Sequence, residues 1–143
     1  MSAPSSPESP WDGLLSASEP ADIMNASWVA FECIRLCADE LADQATGHFA
    51  TWVTAATPAC QGRDTLGRAP SMPTALAHPD TLPRIAEEGE DTAARLVGEL
   101  AALVEQRLGA AMRQATVPED AKACARASQA AAKIRELFAG AGG

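Results

Sequence analysis

Apolar positions recur every three or four residues along most of this chain. The longest periodic stretch runs from Pro20 to about Thr57. At 100° per residue, Ile23, Met24, Phe31, Ile34, Ala38, Leu41, Ala45, Phe49, Trp52 and Ala56 fall on one side, and Glu32, Asp39, Glu40 and Asp43 on the other. The pattern predicts one amphipathic helix over 18–57. Ser18 is its expected cap, Pro20 suits the first turn, and Asp22 faces the positive end of the helix dipole. Thr57 precedes Pro58, and a residue before proline is pushed out of helical geometry, so the helix is expected to stop there. Such a rod would reach roughly 55 Å, with Gly47 as its weak point.

Residues 58–80 break the pattern. Pro58, Gly62, Gly67, Pro70, Pro73 and Pro79 predict a linker with no long regular element, apart from a short helical turn at Ser71 to Ala77 that points Met72 and Leu76 inward. A connection this long is unusual in a compact bundle, so it is read as a crossing segment or a flap. Periodicity resumes over 81–115, where Leu82, Ile85, Ala93, Leu96, Val97, Leu100, Leu103, Val104 and Ala111 share a face. The spacing of Ala93, Leu96, Leu100 and Leu103 is coiled-coil-like and fails at Arg107. Glu87, Glu88, Glu90 and Asp91 come early and Arg107 and Arg113 late, the order a helix dipole favours. Gly89 is read as a kink.

A third helix is predicted over 116–139. It opens on a capping box, Thr116-Val117-Pro118-Glu119, and Gly140 stops it. Its expected buried face is Ala123, Cys124, Ala127, Ala130, Ala131, Ile134, Leu137 and Phe138. Three Pro and five Ser in residues 1–17 read as a flexible arm, and 140–143 as a frayed tail. The fold expected is all-α: an antiparallel bundle of three long helices, or four if the first breaks near Gly47.

Composition narrows this picture. With 143 residues, the chain is long enough for one domain with a single core. Hydrophobic residues make up 47%, aromatics only 4%, and Tyr is absent, so the core must be built from Leu, Ile, Val and small residues. A net charge of −8 argues against a nucleic-acid surface and against binding to anionic membranes. The excess of Arg over Lys reads as the coding bias of a GC-rich bacterial genome. Met1 to Pro10 has no apolar core of a signal peptide, and no run of about 18 apolar residues exists. A cytoplasmic protein is expected, with Cys33, Cys37, Cys60 and Cys124 as reduced thiols.

Candidate chemistry is sparse. Cys33 and Cys37 are spaced i, i+4 and share a helix side, and Cys124 on a facing helix would complete a three-thiolate site for a soft metal. No C-x-x-C pair and no nearby His supports this, and Cys is a commonly buried residue, so a structural role for the three comes first. His48 lies eleven positions beyond Cys37, about 16 Å along a helix. His78 precedes Pro79 in the linker, and both His read as solvated. No Glu-x-x-His of a di-iron bundle occurs, the run Glu87-Glu88-Gly89-Glu90-Asp91 reads as a solvated turn, and phosphate loops, nucleophile elbows and Rossmann glycines are absent. No enzyme and no cofactor is expected.

The surplus of apolar surface points elsewhere. Val29 and Leu36 sit on the polar side of the first helix and Cys33 and Cys37 on its flank, so the apolar arc is wider than two neighbours cover. Trp11-Asp12-Gly13-Leu14-Leu15 stands out in a polar arm, as a staple on the bundle or as a docking motif. Trp11, Leu14, Leu15, Val29 and Leu36 are therefore the candidate partner-binding residues. The expected function is a non-enzymatic interaction protein, an adaptor, chaperone-like subunit or oligomeric scaffold, that binds itself or a protein partner.

Two other readings stand beside it. From Ser27 to Arg63 the chain resembles phasins, which coat polyester storage granules with amphipathic helices. The resemblance lies in Trp28, Phe31, Leu36, Phe49 and Trp52, followed by Pro58, Cys60, Arg63 and Asp64. It implies a granule- or surface-coating role, and the capped third helix lies outside it. The remaining reading is a thiol-based metal or redox sensor using Cys33, Cys37 and Cys124.

Overall fold

A computed structural model describes residues 9–44, 49–73 and 82–139. Five α-helices pack together: α1 (Pro10–Ser16), α2 (Pro20–Asp43), α3 (Phe49–Gly67), α4 (Glu90–Gln114) and α5 (Pro118–Leu137), with a 3-10 turn at Ile85–Glu88 before α4. There are no strands among the described residues. α2 packs against α3 and α4, and α5 packs against the same two, so the four long helices close a ring of neighbours. α1 lies across α2 and α4.

The expected rod over 18–57 is two helices folded against each other. α2 ends at Asp43, and α3 begins at Phe49. Gly47 and His48, between them, fall outside the described residues. Ser18 does not cap α2: the N-cap is Glu19, with no side-chain bond, and Pro20 opens the helix.

α3 runs through Pro58 to Gly67, so the expected stop at Thr57 does not occur. Proline inside a helix removes one backbone hydrogen bond and costs about 3 kcal/mol. The apolar seam explains why the helix continues. Trp52, Ala55, Ala59, Gly62 and Leu66 are all buried, and their 3-4-3-4 spacing passes through Pro58 without a change of phase. Gly62 sits where α3 crosses α2: a Cβ there would come within 2.4 Å of the Phe31 ring. The expected linker thus begins only at Arg68, and Met72 is buried as read from the sequence. Leu76, His78 and the rest of 74–81 lie outside the described residues.

The expected second helix starts late. Gly89 has φ +92 and ψ 153, a backbone only glycine adopts without strain, and it separates the 3-10 turn from α4. The α4 seam is Ala93, Val97, Leu100, Val104, Leu108 and Ala111, all buried, while Leu96 and Leu103 are only half-buried. The Thr116 capping box does not form. Val117 is the N-cap of α5 without a side-chain bond, and Pro118 takes the first position. α5 turns Ala123, Cys124, Ala127, Ala130, Ala131 and Ile134 inward as expected, while Leu137, expected with them, is only half-buried. Phe138 follows it and meets Trp52, ring centroids 4.8 Å apart.

Candidate docking groove

The residues singled out in the sequence as partner-binding are mostly used inside the chain. Leu14 is 0% exposed, and Trp11 packs against the core. The Arg107 guanidinium donates to the carbonyls of Leu14, at 3.0 Å, and of Ala17, which ties the end of α1 to α4. Val29 lines the contact between α1 and α2, and Leu36 lines the contact of α2 with Leu82–Ala86. The wide apolar arc of α2 is therefore covered by α1, α3, α4 and the 3-10 turn of the same chain. Of the five candidates only Leu15, 67% exposed, stands clear. Trp28 and Trp52 are buried too, at 9% and 0% exposure. Three of the aromatics that carry the likeness to phasins, Trp28, Phe31 and Trp52, thus face the interior, and Phe49 faces outward.

Among the described residues, no group of three His, Cys, Asp or Glu side chains is arranged to hold a metal ion. Burial pushes the Cys33 and Cys37 thiols up to about 12, helped by Glu32 and Glu40 respectively, and Cys124 up to about 11, helped by Asp120. Raised values favour the protonated, less nucleophilic form of these thiols. Cys60 is only half-buried.

Two buried carboxylates were not legible as such. Glu32, assigned to the polar side, is buried on α2 and accepts 2.8–2.9 Å bonds from Arg35 and Arg63. Arg35 foremost, and Arg63 with it, hold its carboxyl below the usual range against the opposing pull of burial. Asp120, in the first turn of α5, accepts from the Ser71 backbone N–H at 3.1 Å and from its hydroxyl. Both contacts fasten elements together: α2 to α3, and the turn after α3 to α5.

The charge distribution outlines a surface instead. Six of the eleven Lys and Arg are committed: Arg35, Arg63, Arg84, Arg95 and Arg135 to carboxylates, and Arg107 to the end of α1. Of the remaining five, Arg68, Lys122, Arg126 and Lys133 line one groove between α3 and α5; Arg113 lies elsewhere, near the end of α4. Three hollows follow one another along the groove, each sharing two residues with the next. At one end Arg68 and Thr65 face Lys122 and Arg126; Thr65 and Arg126 also border the middle, with Gln61, Gln129 and Lys133. Gln61 and Lys133 in turn border the far end, an open hollow of about 660 Å³ walled by Val53, Thr57, Pro58 and Leu137. Val53 is 47% exposed, and Phe49, one turn before it on the same face, is 50% exposed. Glu119 and Glu136 border the two ends. The result is a trough that is cationic at one end and apolar at the other, on a chain of net charge −8.

Compared with protein-family models, curated proteins and solved structures, the chain matches none. No helix among the described residues is long and apolar enough to cross a membrane.

Proposed function

We propose that this protein is a non-enzymatic interaction module, and that its docking surface is the groove between α3 and α5. In this reading α2 to α5 form an antiparallel four-helix bundle, braced by α1, whose rigidity presents the groove. One observation carries the reading: four cations with no acidic partner among the described residues converge on a trough whose far end is exposed hydrophobic surface. Among the other described cations only Arg113 is uncommitted, and the large hydrophobics exposed away from the groove are Leu15 and Met112. Uncommitted charge beside uncovered apolar surface is the composition of an interface, with an apolar centre and a polar rim.

Site-specific photo-crosslinking in cells tests this. A photoreactive residue replacing Gln61 or Gln129, both exposed in the groove, is expected to trap a discrete protein adduct. The same residue at Gln106, exposed on α4, is expected to trap none. Equal trapping at all three positions, or none in the groove, would count against the reading.

A further inference from the structure

The chemistry of the groove narrows its occupant, provided that the docking surface is placed correctly above. We infer that it receives an acidic amphipathic helix of a partner protein. The carboxylates of that helix meet Arg68, Lys122 and Arg126, and its apolar side chains meet Phe49, Val53 and Leu137.

Three features select this occupant. The first is length. The walls follow α5 from Glu119 to Leu137, about 27 Å of axis, which matches about 18 residues of helix. The second is shape. One wall is α5 and the other is α3 with the turn that follows it, the trough is open, and no strand edge exists among the described residues to which an extended peptide could add. A helix laid between two others fits by ridges and grooves, and an apolar stripe in such a trough is a recurrent peptide-binding mode. The third is charge. Four cations against the two carboxylates Glu119 and Glu136 leave the groove positive, while the whole chain is at −8. An acidic helix is drawn to the groove, whereas a nucleic acid would be repelled by the rest of the surface and would leave the apolar end unmatched. A second copy of the chain brings the same −8 and is opposed at long range.

The probe is a fluorescent, end-capped helical peptide of about 18 residues. Glu fills the docking face of one half, and Leu at i, i+3, i+4 and i+7 fills the other. Fluorescence anisotropy with the full chain is expected to give saturable one-site binding that weakens as salt rises. Replacing the peptide's Glu by Gln, or its Leu by Ser, is expected to weaken binding at least tenfold. The double variant Lys122→Glu/Arg126→Glu and the single variant Val53→Asp, all at exposed positions, are expected to do the same. Absence of saturable binding overturns the inference, as does equal binding of the Gln peptide, which needs no protein variant. Tighter binding of a single-stranded oligonucleotide would reassign the groove to nucleic acid, and adducts of twice the chain mass in the crosslinking experiment would reassign it to self-assembly. Heterologous adducts at Gln61 with no peptide binding would overturn the acidic-helix inference and leave the docking surface standing. No adduct at either groove position would remove both.

Discussion

Glu32 shows how much a single side chain decides here. Its carboxylate is buried between Arg35 and Arg63, and those two hold its proton affinity below the unfolded value of 4.5. A depressed carboxyl pKa contributes stability that is present above the unfolded value and is lost as pH falls through the folded one. The thermal midpoint of the wild type is therefore expected to fall below about pH 4.5 more steeply than that of Glu32→Gln. Matching slopes would mean that the pair contributes nothing. The thiols titrate in the opposite direction. Their folded values lie above the unfolded 9.0, so the buried neutral form favours folding at neutral pH and that contribution fades as pH rises past 9. At pH 8 an aromatic disulfide reagent is expected to label one of the four thiols, Cys60, rapidly, and the other three only after unfolding. Fast labelling of Cys33 or Cys37 would contradict the packing. Leu100, fully buried in the α4 seam, is expected not to tolerate Asp, because an unpaired buried carboxylate costs several kcal/mol, comparable to total domain stability. Circular dichroism of Leu100→Asp checks this.

Elements are held by close crossings and by a few charged clamps. Gly62 lets α3 approach Phe31 of α2. Gly62→Ala is expected to destabilise the fold by about 1–3 kcal/mol through overpacking, read as a lower denaturation midpoint. Arg107→Ala is expected to free α1 from α4, with faster amide exchange across Pro10–Ser16 and little change in α5. The helical character and the inward faces of α4 and α5 were legible in the sequence because their apolar residues repeat at helical spacing with little interruption. The boundaries were not. Pro58 reads as a stop by local rules, and only the unbroken seam from Trp52 to Leu66 reveals that packing overrides it. The end of α2 at Asp43 was signalled only by Gly47 nearby, because the apolar periodicity continues from Leu41 through Ala45 to Phe49. Glu32 reads as outward-facing because a charge on a helix face is ordinarily solvated. Its two Arg partners, Arg35 on its own helix and Arg63 on the next, become visible only once α2 and α3 are paired.

At the scale of the whole molecule, the surplus apolar surface expected of the first long helix is covered within the chain. α2 has more apolar surface than two neighbours cover, and this chain supplies four. Among the described residues, exposed large hydrophobics remain at Leu15, Phe49, Val53 and Met112; the two on α3 lie towards α5, a pairing hidden in a pattern that predicts a helix stopping at Thr57. Once Gln61 and Thr65 are seen to be helical, with Arg68 in the turn that follows, their alignment with Lys122, Arg126 and Lys133 follows. The most direct measurement is side-chain solvent labelling of the protein in cell extract and after purification, compared residue by residue. Phe49, Val53 and Leu137 are expected to lose labelling in the extract, while Leu15 and Met112, exposed on other elements, label equally in both states. Protection at Leu15 or Met112 with Phe49, Val53 and Leu137 unchanged would contradict this.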